Sequence, residues 1–168
     1  PFEGAVPLGQ VLKVVRSLAD LGVHQLSLGD TIGVGTPGQT LGLVHAISQY
    51  VEIGRLALHL HDTRGTALAN ALIGLQQGIT TFDASVGGLG GCPYAAGAAG
   101  NLASEDLLYM LHGMGIETGV SLEKLTAAGE LAQSLVGRKL PGKYLQAALG
   151  ARGTGPPRTS RGVSRHHR

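Results

Sequence analysis

At 168 residues, with 43 % hydrophobic and 14 % charged residues, the chain suits one domain with a real core and lacks the composition of a disordered protein. A single cysteine excludes an internal disulfide framework, and no apolar run is long enough to cross a membrane. The pI near 9.0 belongs to the tail, because residues 1–150 carry eight Lys and Arg against eleven Asp and Glu, a net of −3, and Arg152, Arg158, Arg161, Arg165 and Arg168 raise the total to +2.

Residues 1–6 carry no element of their own, and no charged-then-apolar leader opens the chain as a secretory signal would. Leu8, Val11, Leu12, Val15 and Leu18 then fall on one face of a helix that Pro7 opens and Gly22 stops. A short apolar strand is expected at 23–28, running into GDTIGVGTPG. Thr36 and Pro37 read as an N-cap followed by proline at the first helical position, and Leu41, Val44, Ile47 and Val51 form the next stripe. LALHLH at 56–61 is a second strand. Leu68, Ala71, Leu72 and Leu75 mark a third helix closed by Gly78, and 79–84 a third strand. Residues 86–105, VGGLGGCPYAAGAAGNLASE, are too rich in glycine for a regular element and hold the one cysteine, Cys92. Asn101 is expected to cap a following helix, with Glu105 and Asp106 in its first turn, where the helix dipole favours acids. Residues 121–136 read as one more helix, with Leu122, Leu125, Ala128, Ala132 and Leu135 apolar. From 151 the composition turns to Gly, Pro, Ser, Thr and Arg, and 151–168 is expected to be a disordered tail after a folded domain at 1–150.

Repeated β-α units of 25–30 residues predict parallel strands in an α/β fold. The polar candidates fall just after strand ends, as in a (β/α)8 barrel; an open doubly wound sheet shares that rule. His59 and His61, two apart on a strand, point the same way and make either a divalent-metal pair or a hydrogen-bonded pair in a polar layer. Nitrogen and oxygen donors suit Mg²⁺, Mn²⁺ or Zn²⁺, and without clustered thiols a structural zinc is not expected. Asp30 is either an Asx-turn or cap residue or an acid of the site, and Asp83 either an inward acid or a partner for a neighbouring strand. His24, His45 and His112 suit surface or packing roles.

GDTIGVGTPG at 29–38, HLHDTRGTALAN at 59–70 and GLGGCPYAAGAAGNLASEDLLYML at 88–111 resemble the 3-hydroxy-3-methylglutaryl-CoA (HMG-CoA) lyase family, over residues 2 to about 135. The Gly-Gly-Cys-Pro-Tyr segment is the specific part. The His-x-His pair is shared with related metal-dependent lyases and acyltransferases such as isopropylmalate synthase. The resemblance implies a TIM barrel, of which this chain is the C-terminal portion with about three parallel strands, a C-terminal helix and a tail. It implies cleavage of HMG-CoA to acetyl-CoA and acetoacetate with a divalent cation, Mg²⁺ or Mn²⁺. His59, His61 and Asn101 would be metal ligands; Cys92, Asp30 and His59 catalytic; Gly91 and Thr31 substrate-binding; and Glu105 close to the site. An acyl-CoA substrate, a homodimer at full length, no membrane partner and no nucleic-acid role follow, in the cytoplasm of a bacterium or the mitochondrial matrix of a eukaryote. The family's first barrel strand supplies a further aspartate ligand and an arginine that nothing in residues 1–22 matches, so this chain by itself is expected to be inactive. A related aldolase or acyltransferase, or a half-barrel that binds a partner without catalysis, are the competing readings.

Overall fold

The stripe Leu8, Val11, Leu12, Val15 and Leu18 needs an apolar surface to cover, and it finds one. In the computed structural model, which describes residues 4–91 and 100–153, the stripe lies on α1 (Leu8–Asp20); Val11, Leu12, Val15 and Leu18 pack on the core, with Val15 buried, while Leu8 at the first turn stays exposed. The chain continues through β1 (Leu26–Asp30), α2 (Pro37–Ile47), β2 (Leu56–Leu60), α3 (Ala67–Gln76), β3 (Thr81–Asp83), α4 (Ser104–Gly113), α5 (Leu122–Val136) and α6 (Lys143–Gly153). The three strands are parallel and adjacent in the order β1-β2-β3. Parallel neighbours cannot be joined by a hairpin, and α2 and α3 make the crossovers.

Alternation along the strands separates two faces. Leu26, Leu58 and Leu60 are buried and join Val44, Ile47, Ala67 and Ala71 from the crossover helices in one apolar cluster. Ser27, His59 and Asp83 lie on the opposite, polar face, where Ser27 Oγ and Asp83 Oδ2 are 3.3 Å apart and Gln25 Nε2 donates to Thr81 Oγ1 at 3.1 Å. The expected α/β class with parallel strands is therefore observed.

Several boundaries differ from the sequence expectation, each for a local reason. The first strand begins at Leu26, not 23, because the Arg55 guanidinium takes the Val23 and His24 carbonyls. Asn101 is not the N-cap of α4; that position is Ala103. Residues 101–103 instead run extended beside the strand ends, with Leu102 N–H on the Leu60 carbonyl at 2.9 Å and Ser85 N–H on the Leu102 carbonyl at 2.9 Å. On α5 the buried positions are Thr126 and Gly129, while Leu135 stays 78 % exposed. Helix α6 has no counterpart in the sequence reading and passes the expected boundary at 150 to reach Gly153. The expected tail from 154 onward lies outside the described residues.

Helix α6 is held by an acid far away in sequence. Asp106 on α4 accepts from the backbone N–H of Lys143 at 3.0 Å and of Tyr144 at 2.6 Å, so a carboxylate satisfies donors at the open end of a helix. Leu140, just before the helix, and Leu145, in its first turn, are fully buried. Gly129 lets α5 approach, because a Cβ there would stand 2.4 Å from Glu105 Oε1 and 3.0 Å from Leu145 Cδ1. On an open helix Gly129→Ala would stabilise by up to about 1 kcal/mol. Here overpacking is expected to reverse the sign, costing about 1–3 kcal/mol. Urea unfolding of the Gly129→Ala chain measures it, and a gain in stability would refute the close approach.

Candidate functional site

The polar end of the sheet is assembled by the chain returning on itself. After β2 the chain passes His61, and after the glycine-rich segment it comes back at Asn101, which faces His61 in an antiparallel bridge. Asp62 N–H donates to the Gly100 carbonyl at 3.1 Å and Leu102 N–H to the Leu60 carbonyl at 2.9 Å. The Asn101 Nδ2 amide donates to the Leu89 carbonyl at 2.8 Å, which turns its Oδ1 the other way. That carbonyl also accepts from Ser85 Oγ at 2.6 Å, so the entry to the glycine-rich segment positions its exit.

Asn101 Oδ1 and His61 Nδ1 are both buried without a hydrogen-bond partner among the described residues. A buried polar atom left unpaired costs about 1–3 kcal/mol, and here two of them lie on bridged residues. The His59 and His61 rings are 5.3 Å apart by centroid and tilted by 58°. Imidazole nitrogen with an amide oxygen is a donor set suited to a divalent cation. No cluster of three His, Cys, Asp or Glu side chains that could hold a metal occurs among the described residues; the donors present here are the two imidazoles and the Asn101 amide. Burial, and then the neighbouring His59, lower the pKa of His61, while Asp30 opposes them. The net effect favours the neutral ring, the form in which imidazole ligates a metal.

Asp30 ends β1 with both oxygens engaged: Oδ1 accepts from Val34 N–H at 3.0 Å and Oδ2 from Gly35 N–H at 2.9 Å. The turn reading of this residue is thus realised, and it sets the acid's charge near His61 at the same time. Thr31 follows in that turn and is exposed. Asp62 has its own double role, accepting from Ala67 N–H at 3.0 Å at the start of α3 and from Lys143 Nζ at 2.7 Å. That bond holds the lysine pKa above its usual value. Glu105 is fully buried and accepts from Gly87 N–H at 2.7 Å, with its other oxygen unpartnered. Gly87 has φ +60°, and a Cβ there would lie 2.5 Å from Leu140, so only glycine serves. Gly91 is exposed at the end of the described segment, and Cys92 lies outside the described residues.

Sequence reasoning missed the cations. Arg138, Lys139 and Lys143 line a cavity of about 550 Å³ together with Gly88, Gly90 and Gly100. The signal was present as an Arg-Lys pair after a helix stop, but only the fold carries it to the glycine-rich segment.

Comparison with known proteins follows the same residues. A family model described as HMGL-like matches residues 2–132. The mitochondrial hydroxymethylglutaryl-CoA lyase of Pongo abelii is 52 % identical over 147 residues, which cover 88 % of this chain and 45 % of that protein. The crystal structure of the Bacillus subtilis HMG-CoA lyase matches with a TM-score of 0.85 at 48 % identity, over 89 % of this chain and 50 % of that one. An HMG-CoA lyase from Acinetobacter baumannii, in complex with coenzyme A and 3-methylmalate, matches with a TM-score of 0.81 at 34 % identity, over 98 % of this chain and 52 % of that one. The chain spans about half the length of the relatives it matches.

Burial raises the pKa of Glu105 above the usual 4.5, against the two backbone hydrogen bonds that lower it. A raised acid favours the folded state most below pH 4.5, and that contribution is lost as pH rises through the folded value. Glu105→Gln keeps an acceptor for Gly87 and cannot ionise. Urea midpoints measured from pH 4 upward should therefore fall less steeply for Glu105→Gln than for the parent chain. Identical slopes would mean that Glu105 is charged in the fold.

Proposed function

The chain belongs to the HMGL-like family, and on that premise we propose that it is the C-terminal portion of a (β/α)8-barrel HMG-CoA lyase. The observation that carries this reading is the bridge that sets Asn101 against His61 next to His59, leaving buried donor atoms without partners. His59, His61 and Asn101 would hold a divalent cation, Mg²⁺ or Mn²⁺. When bound, that ion lowers the pKa of a substrate hydroxyl and offsets carboxylate charge. All three donors are neutral, so a hard cation is held weakly until a carboxylate joins them. The relatives' additional length is where the proposed first-strand aspartate would come from.

The reaction makes definite demands. The tertiary hydroxyl of HMG-CoA loses its proton, and the bond between the carbinol carbon and the carbon next to the thioester breaks. Its electron pair goes to the thioester fragment, and a proton returned to that carbon completes acetyl-CoA, leaving acetoacetate. Cys92, in its glycine-rich setting, is assigned the proton delivery. A ligating histidine has no free lone pair at the donor atom, so His59 orients rather than accepts a proton. Asp30, already fixed by two backbone donors, holds negative charge at the strand end and shapes the turn that carries Thr31 against the substrate. Arg138 and Lys139, in the cavity beside Gly88 and Gly100, are suited to coenzyme A phosphates; Lys143 is already engaged by Asp62. The coenzyme A bound by the Acinetobacter relative supports that substrate class, and Gly91 follows directly on Gly90 of that lining.

A chimera tests the reading. Residues 4–150 replace the corresponding half of the Bacillus subtilis enzyme, and acetoacetate release from HMG-CoA is assayed with Mg²⁺ or Mn²⁺. The chimera should turn over, with loss of at least about 100-fold in kcat for His61→Ala and for Cys92→Ser, on the scale of removing groups that act in the transition state. This chain by itself should release none. A folded, metal-loaded chimera without turnover, or one indifferent to both substitutions, would refute the assignment.

A further inference from the structure

One acid on the polar face is not used by the site described so far. Asp83 ends β3 directly opposite His59 in the parallel register. Its Oδ2 stands 3.4 Å from His59 Nδ1, and the same oxygen is 3.3 Å from Ser27 Oγ on β1. His59 and Asp83 are at one level of the sheet, and Ser27 reaches the same oxygen from the same polar face two positions before Gly29, the β1 partner of His59. We propose that Asp83 is a positioning residue, whose carboxylate fixes the proton of neutral His59 on Nδ1 and leaves Nε2 as the ring's free lone pair.

The argument is one of donor inventory. An ionised carboxylate only accepts, so Nδ1 pairs with it only as N–H. Neutral imidazole carries one N–H, and placing it on Nδ1 strips Nε2 of its proton. Ser27 supplies a hydroxyl that keeps Asp83 Oδ2 in place, because rotation of the carboxylate away from His59 would break that contact too. The strand register does the rest: His59 and Asp83 are Cα partners on adjacent parallel strands, so their side chains leave the same face side by side. Histidines that bind metals commonly give their second N–H to a carboxylate, which sets the tautomer and the ring's direction. Among the described residues His61 has no such acid on its Nδ1, which is unpartnered. The two histidines therefore differ, with His59 oriented by a side chain on the neighbouring strand and His61 by the backbone bridge to Asn101. That the freed lone pair meets a metal rests on the function proposed above; the tautomer does not.

Long-range proton–nitrogen NMR of the metal-free chain at a pH where both rings are neutral reads this directly. His59 is expected with a pyrrole-type Nδ1 and a pyridine-type Nε2. Asp83→Asn, whose amide can donate to the ring, is expected to shift His59 toward the opposite tautomer, and Asp83→Glu to restore the parent pattern at least in part. Mn²⁺ titration of the same proteins should show about 10–100-fold weaker binding for Asp83→Asn, the range seen when such supporting groups are lost. His59 protonated on Nε2 in the unsubstituted chain would overturn the proposal, and that spectrum needs no variant to fold. An unchanged tautomer in folded Asp83→Asn would overturn it as well. Absence of Mn²⁺ binding by the chimera described above would count against the metal reading, with the tautomer in this chain still deciding the role of Asp83.

Discussion

Two backbone hydrogen bonds, Asp62 N–H to the Gly100 carbonyl and Leu102 N–H to the Leu60 carbonyl, tie the end of the glycine-rich segment to the end of β2. Each contributes on the order of 1 kcal/mol net, a modest stabilisation with a large geometric effect. They decide which residue faces His61. A slip of one residue in that antiparallel pairing would turn the Asn101 amide to the other side, away from the face it shares with the bridged His61. The bridge is in turn embedded: Leu102 is buried on one side, and Ser85 binds its carbonyl on the other.

The two acids that open α4 divide the task of holding what surrounds the bridge. Glu105 reaches under the entry of the glycine-rich segment and takes Gly87 N–H. Asp106 reaches to the start of α6 and takes two of its backbone donors. Between them runs the stretch 140–142, with Gly142 N–H on the Gly87 carbonyl at 2.9 Å and Leu140 N–H on Gln133 Oε1 at 2.9 Å. A carboxylate buried as completely as Glu105 is costly unless neutral or well paired. Its raised pKa is the physical sign of that cost, and Gly129 leaves only enough room for the side chain to fit. The dipole argument from sequence placed both acids in the first turn of a helix, and they are there; their hydrogen bonds, however, serve other segments.

The regular elements were legible because their determinants are local. The Thr36-Pro37 start, with Gln39 Oε1 accepting the Thr36 N–H at 3.0 Å, and the left-handed Gly137 after α5 are short-range features. So is the same-face placement of His59 and His61. What was not legible depends on distant partners. Arg55 shortens the first strand from thirty residues away, and Asp106 caps a helix that has little periodicity of its own. Asn101 is the instructive error. Its residue type suits an N-cap, and its sequence position suits one, yet its backbone is committed to His61 and its amide to Leu89. The resemblance to HMG-CoA lyases implies a ligand role for the same residue, which stands here as a proposal.

The central claim is that His59, His61 and Asn101 act as one donor set. Pulsed electron paramagnetic resonance of Mn²⁺ added to the chimera measures it most directly, through nitrogen-14 couplings to the ion. The account predicts couplings from two imidazole nitrogens, reduced to one in His59→Ala. Mn²⁺ that shows couplings to water protons alone, or that keeps two imidazoles after His59→Ala, would contradict it.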